Sequence, residues 1–181
     1  MVKPVELPQG RDYLPALFNE RGYMVGAEIG VERGMFTVKL SEFGGKLYAI
    51  DAWEAYNGYR EHVSQVKMEE MYQETLRRVP RNVKVVRGYS MDVVTQFVDN
   101  SLDFVYIDGN HDFKNVAMDL CEWYKKVRVG GIVSGHDWVR KKGWNFAVKD
   151  VVPAFICNRG IDNLTILRGD RSPSWYFTKH A

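Results

Sequence analysis

The chain has 181 residues, 45% of them hydrophobic and 13% aromatic, with a formal net charge of +2. That length and apolar content support a sizeable core and most simply a single domain over residues 1–181. The charge balance excludes a nucleic-acid partner held by electrostatics, and no apolar run reaches the roughly eighteen residues needed to cross a membrane.

The opening stretch MVKPVELPQGRDYLPALF has no apolar h-region and no small-residue cleavage site. It predicts no signal peptide, and residues 1–23 are expected to form a helical extension with its helix over 11–21. MVGAEI (24–29) is a buried strand, a helix follows over 33–43, and KLYAID (46–51) is a second strand. Apolar positions from Val63 to Val79 fit a long helix over 60–79 only loosely. VKVVRG (83–88) is a strand, MDVVTQFV a short helix, and SLDFVYID (101–108) a further strand. Phe113, Val116, Leu120, Trp123 and Tyr124 repeat with helical spacing over 112–127, with Asp112 placed to cap that helix. Gly130 and Gly131 are expected to turn the chain into the strand IVSGHD, which is followed by a helix over 145–158. LTILRG and SWYFTK end the chain as a pair joined by a loop too short for a helical crossover, hence antiparallel.

Strands alternating with helices imply a mostly parallel sheet covered on both faces, with seven strand candidates. Cys121 and Cys157 lack metal-ligand spacing and lie in helical patterns. They are expected to be reduced, buried small hydrophobes in a cytoplasmic protein. Arg140, Lys141 and Lys142 read as a solvated loop.

Ligands of an open parallel sheet sit beyond the carboxyl ends of its strands, where Glu28, Asp51, Asp108 and Asp137 all fall. One such acid is ordinarily a helix cap; four on four strands need a common cause. In VGAEIGVERG, Gly30 permits close backbone approach and Gly34 permits tight packing of the helix start. Asp51, about twenty residues on, suits the hydroxyls of a ribose. A dinucleotide site would need G-x-G-x-x-G around a pyrophosphate, whereas this turn carries Glu28 in place of the first glycine. A carboxylate there repels phosphate and favours a cationic nucleoside.

With these motifs the sequence resembles class I S-adenosylmethionine-dependent methyltransferases. IDGNHDFKNVAMDL and GGIVSGHDW are similar to segments of the small-molecule O-methyltransferases that include the macrolide sugar enzymes. The resemblance implies a Rossmann-like, doubly wound α/β sheet in strand order 3-2-1-4-5-7-6 with the seventh strand antiparallel. It implies that Glu28, Gly30 and Gly34 surround the methionine part of S-adenosylmethionine and that Asp51 holds the ribose beside Ala52 and Trp53. Ser90 and Met91 fall where the family contacts adenine, although Ser90 equally suits the N-cap of the next helix.

Methyl transfer to oxygen requires a general base or a metal that lowers the acceptor's pKa. The resemblance implies that Asp108 and an acidic pair at 136–137 bind a divalent ion such as magnesium or manganese, with His111 as base. His136 replaces one acid of that pair, and a nitrogen ligand suits manganese, iron or zinc better than magnesium. Trp53, Tyr56, Tyr59, Trp138 and Trp144 lie in loops expected to overhang the site, and residues 52–62 would form a lid.

The expected function is methyl transfer to a hydroxyl of a small acceptor, sugar or natural product, with no nucleic-acid or membrane partner and an open oligomeric state. The alternatives are a non-catalytic domain that binds S-adenosylmethionine or its product as sensor or scaffold, and a metallophosphoesterase suggested by GNHD. The latter lacks an early D-x-H motif and has only four histidines.

Overall fold

The computed structural model describes residues 2–55, 63–140 and 145–181. Its strands are β1 (Val5–Leu7), β2 (Val25–Ile29), β3 (Lys46–Asp51), β4 (Val83–Arg87), β5 (Leu102–Ile107), β6 (Val127–Gly135), β7 (Thr165–Leu167) and β8 (Ser174–Thr178). The helices are α1 (Leu14–Glu20), α2 (Met35–Leu40), α3 (Gln65–Arg78), α4 (Ser90–Val93), α5 (Phe113–Lys126) and α6 (Val148–Asn158). One eight-stranded sheet runs β1-β7-β8-β6-β5-β2-β3-β4. With β1 set aside, this is the expected order read from the other edge. All pairings are parallel except β6–β8 and β7–β8.

The central strands are apolar on both faces because helices cover both. Along β5, Phe104 and Tyr106 face one layer, packing with Leu14, Phe18, Phe36 and Phe43 from the α1–α2 side. Val105 and Ile107 face the other, with Val116, Leu120, Trp123 and Val152 from α5 and α6. Gly26 makes the first layer possible: a Cβ there would lie 2.1 Å from the Phe104 ring, which stacks on Phe18 at 4.0 Å. Edge strand β4 is half-buried at Val83, Val85 and Val86 and exposed at Lys84 and Arg87. The Asp112 side chain caps α5, accepting from the Asn115 N–H at 2.9 Å.

Three expectations are corrected. The N-terminal extension is not purely helical: it begins with β1, which pairs in parallel with β7 and makes the sheet eight strands rather than seven. Gly130 and Gly131 lie within β6, which starts at Val127 directly after α5. The register slips between Leu102↔Val127 and Phe104↔Ile132, so the glycines form a bulge instead of a turn. A Cβ on Gly131 would sit 2.4 Å from the Asp103 carbonyl oxygen. Cys121 is half-buried and Cys157 is exposed, so neither is a core residue; both are free thiols. No helix among the described residues is long and apolar enough to cross a membrane.

Candidate active site

The tips of β2, β3, β5 and β6 are laced together by backbone hydrogen bonds. Gly30 N–H donates to the Ile50 carbonyl at 2.9 Å, Asp108 N–H to Ile29 at 2.7 Å, and His136 N–H to Ile107 at 3.1 Å. Gly30 has φ +86°, and a Cβ there would stand 2.2 Å from the Asp108 carbonyl oxygen. Only glycine lets these tips meet. Gly34, φ +70°, precedes α2 and belongs to the turn; it does not line the cavity beyond it.

That cavity measures about 940 Å³. It is lined by Glu28, Gly30, Asp51, Ala52, Trp53, Ser90, Met91, Asp108 and His111 of the expected residues, but not by His136 or Asp137. Arg11, Phe36, Asn115, Met118, Asp119 and Phe146 also line it. Asn115, Met118 and Asp119 lie within the segment IDGNHDFKNVAMDL, which gives them no role of their own, and no motif distinguishes Arg11, Phe36 or Phe146.

Asp51 shapes the glycine turn. Its Oδ2 accepts from the N–H groups of Val31 (2.8 Å) and Glu32 (2.9 Å), and its Oδ1 from that of Trp53 (3.0 Å). Trp53 is buried, donates Nε1–H to the Glu32 carbonyl at 2.7 Å and packs on Tyr72. Trp138 is buried in the core rather than overhanging the site. Tyr56, Tyr59, Trp144, Lys141, Lys142 and most of the expected lid, residues 56–62, lie outside the described residues. Ser90 is the first residue of α4, not its N-cap. Its hydroxyl donates to Asp119 and accepts from Trp123 Nε1 at 2.7 Å. Burial raises the Asp119 carboxyl to about 6 against that hydrogen bond.

Glu28 is only 2% exposed, and its Oε2 has no hydrogen-bond partner among the described residues. Burial pushes its carboxyl up to about 8, with nearby Asp108 adding to the rise and Thr37 and Arg11 opposing it. The folded protein therefore holds a proton that the unfolded chain releases above about pH 4.5. Glu28's contribution to stability is complete below that pH and is lost as pH rises towards 8. Between about pH 5 and 8, the ligand-free protein is expected to lose up to about 1.4 kcal/mol per pH unit relative to Glu28→Gln. Urea unfolding of both proteins across that range measures it. A stability difference that stays flat with pH would remove Glu28 as the source.

Asp108, His111, His136 and Asp137 form a second cluster at the tips of β5 and β6. His111 Nε2 lies 2.5 Å from Asp137 Oδ2 and 3.5 Å from Asp108 Oδ1, as an ion pair rather than an aligned hydrogen bond. His136 Nδ1 stands 3.6 Å from both Asp108 Oδ1 and Asp137 Oδ1. The Ser172 hydroxyl donates to Asp137, whose backbone is left-handed at φ +53°. Burial opposes the His111 charge, but Asp108 and Asp137 outweigh it and raise the imidazolium to about 9. Burial likewise opposes the Asp137 charge, yet His111, His136 and Ser172 hold that carboxyl well below its ordinary range. Two carboxylates here require a cation, and protonated His111 supplies it. Asp108, His111 and Asp137 each offer one ligand atom, all within 4.8 Å of one another. This convergent set contains His111 where His136 was expected. Two oxygens and one nitrogen fit manganese, iron or zinc better than magnesium.

The sheet order, the glycine turn and the acid-fringed cavity define a class I S-adenosylmethionine-dependent methyltransferase fold. The chain belongs to the family described as "Methyltransferase domain", whose model matches residues 27–138, more than half its length. Similar solved structures include a candidate caffeoyl-CoA O-methyltransferase from Staphylococcus aureus, with TM-score 0.67 and 14% identity over 92% of this chain and 81% of that one. An O-methyltransferase from Bacillus cereus in complex with SAH gives 0.59 and 18%, over 93% and 80%. The N-methyltransferase NodS from Bradyrhizobium japonicum WM9 gives 0.61 and 15%, over 94% and 95%. No curated protein matches the chain.

Proposed function

We propose that this protein transfers the methyl group of S-adenosylmethionine to a hydroxyl of a small molecule, such as a sugar or natural product. The observation carrying the reading is that one end of a nucleoside-sized cavity abuts the Asp108–His111–Asp137 cluster. Unpartnered, buried Glu28 Oε2 is suited to an ammonium or a nearby sulfonium. Asp51 would hold the ribose: its three N–H donors still leave acceptor capacity for a hydroxyl. Ala52 and Trp53 would flank the sugar, and Met91 would pack on adenine beside Ser90, whose hydroxyl is already committed to Asp119 and Trp123.

The cofactor supplies an activated methyl group, so the chain's tasks are to orient the acceptor and raise its nucleophilicity. Asp108 and Asp137 would hold a divalent ion that lowers the acceptor hydroxyl's pKa, leaving His111, the third member of the converging set, to act as base. With the carboxylates neutralised in that way, His111 can be neutral and take the acceptor's proton on Nε2. Phe146 packs edge-on against the His111 ring at 5.0 Å, and His111 Nε2 is buried.

Calorimetry with S-adenosylhomocysteine and with NAD, followed by methyl transfer to a panel of hydroxylated and amine acceptors with manganese present, tests the reading. S-adenosylhomocysteine is expected to bind and NAD to fail, with transfer to a hydroxyl. Binding without transfer to any acceptor would favour a sensor or scaffold. Transfer to amines alone would move the activity from oxygen to nitrogen.

A further inference from the structure

The cavity is unbalanced in charge. Its lining includes Asp51, Asp108 and Asp119, together with Glu28, which holds a proton in the ligand-free protein and can release it to an arriving ammonium. Besides His111, which faces Asp137, Arg11 is the one basic residue among the described lining residues. Arg11 comes from the N-terminal segment, and a chain of pairings brings it there. The β1–β7 register places Leu7 opposite Leu167, Arg168 N–H donates to the Leu7 carbonyl at 2.8 Å, and Gly169 N–H to that of Gln9 at 2.9 Å. Arg11 N–H then donates to Asp170 Oδ2 at 2.6 Å. A Cβ on Gly10 would come within 2.7 Å of the same carboxylate.

The guanidinium that this anchoring delivers lies 4.4 Å over the Phe36 ring, in the first turn of α2. Its Nη1 stands 3.5 Å from Asp108 Oδ2, a long contact for a group with several N–H donors in a planar fork. It is also near enough to Glu28 to favour that residue's ionised form. Arg11 thus faces the stretch between Glu28 and Asp108, where the methyltransferase reading puts the amino-acid end of the cofactor.

That end is a zwitterion. Acids at the strand tips can receive its ammonium, but they repel its α-carboxylate, and removing a carboxylate from water beside them is costly unless a cation meets it. We propose that Arg11 binds the α-carboxylate of S-adenosylmethionine while Glu28 receives the ammonium, so that the pair reads the amino-acid end by charge. The inference rests on the cofactor assignment above. A guanidinium suits the task because its charge is permanent, its fork matches two carboxylate oxygens, and the Phe36 face holds its plane.

The test is calorimetry on the full chain with S-adenosylhomocysteine and with the analogue in which hydrogen replaces its carboxylate. The unaltered protein is expected to prefer S-adenosylhomocysteine by about 10- to 100-fold, the scale of a charge-assisted pair. Arg11→Met is expected to abolish that preference while binding the decarboxylated analogue within about threefold of the unaltered protein, and Arg11→Lys to restore part of it. Undiminished preference in Arg11→Met would overturn the proposal and leave Arg11 to the acceptor or to Asp108. Loss of the decarboxylated analogue as well would overturn it in favour of a structural role. Failure of the unaltered protein to bind S-adenosylhomocysteine at all would instead reject the cofactor assignment beneath it.

Discussion

Replacing Gly30 with alanine is expected to destabilise the protein by about 3 kcal/mol or more and to eliminate cofactor binding. Two costs combine. The residue sits at φ +86°, and the added Cβ would lie 2.2 Å from a backbone oxygen and 2.5 Å from the carbonyl carbon of Asp108. Backbone cannot swing aside as a long side chain can, so the tips of β2 and β5 would have to separate. That separation breaks the Asp108 N–H to Ile29 hydrogen bond and displaces Asp108 from His111. Gly22 supplies the control, since it has φ +68° but nothing within 4 Å of its would-be Cβ. Gly22→Ala should therefore show the dihedral cost alone, about 1 kcal/mol. Thermal unfolding separates the two, because about 3 kcal/mol corresponds to roughly 6–12 °C in a chain of this size. Equal losses in both variants would mean that the close approach at Gly30 does not constrain the strand tips.

His111→Ala is expected to lower turnover about 100-fold or more while S-adenosylhomocysteine binds within a few-fold of normal. His111 lies beyond the strand-tip acids assigned to the cofactor and pairs with Asp137, so its removal subtracts from the chemical step rather than from binding. It also leaves Asp137 without its closest cationic partner, and the vacated space favours a divalent ion on the two carboxylates. Manganese affinity, followed by electron paramagnetic resonance, is therefore expected to hold or rise in the variant. Normal turnover would take His111 out of the mechanism. A tenfold loss of manganese affinity would convert it from base to ligand, because Nε2 cannot hold a metal and accept a proton at once.

Much of this architecture was legible locally. KLYAID occupies the predicted 46–51, the helix capped by Asp112 starts at Phe113, and the short final connection does give an antiparallel pair. These signals work because apolar period, capping and loop length each act within a few residues of the chain. The acids at the strand ends were legible for a related reason: a parallel sheet sends every strand's carboxyl end to the same edge, so placing Glu28, Asp51 and Asp108 at strand ends places them together. Gly130 and Gly131 misled, since glycine serves a turn and a bulge equally well and only the register with β5 distinguishes them.

By itself, then, the sequence determined the alternation of elements, the glycine turn and the acid-lined edge, all written in short-range patterns and the topology they force. Only the tertiary structure decided which side chains share that edge as partners. It added β1 through pairing with a strand about 160 residues away, and through it carried Arg11 to the cavity. It committed the Ser90 hydroxyl to Asp119, and it set His111 closer than His136 to Asp137. Contacts of that kind depend on where two distant backbones end and which way their side chains turn, and neither quantity has a signature within one stretch of chain.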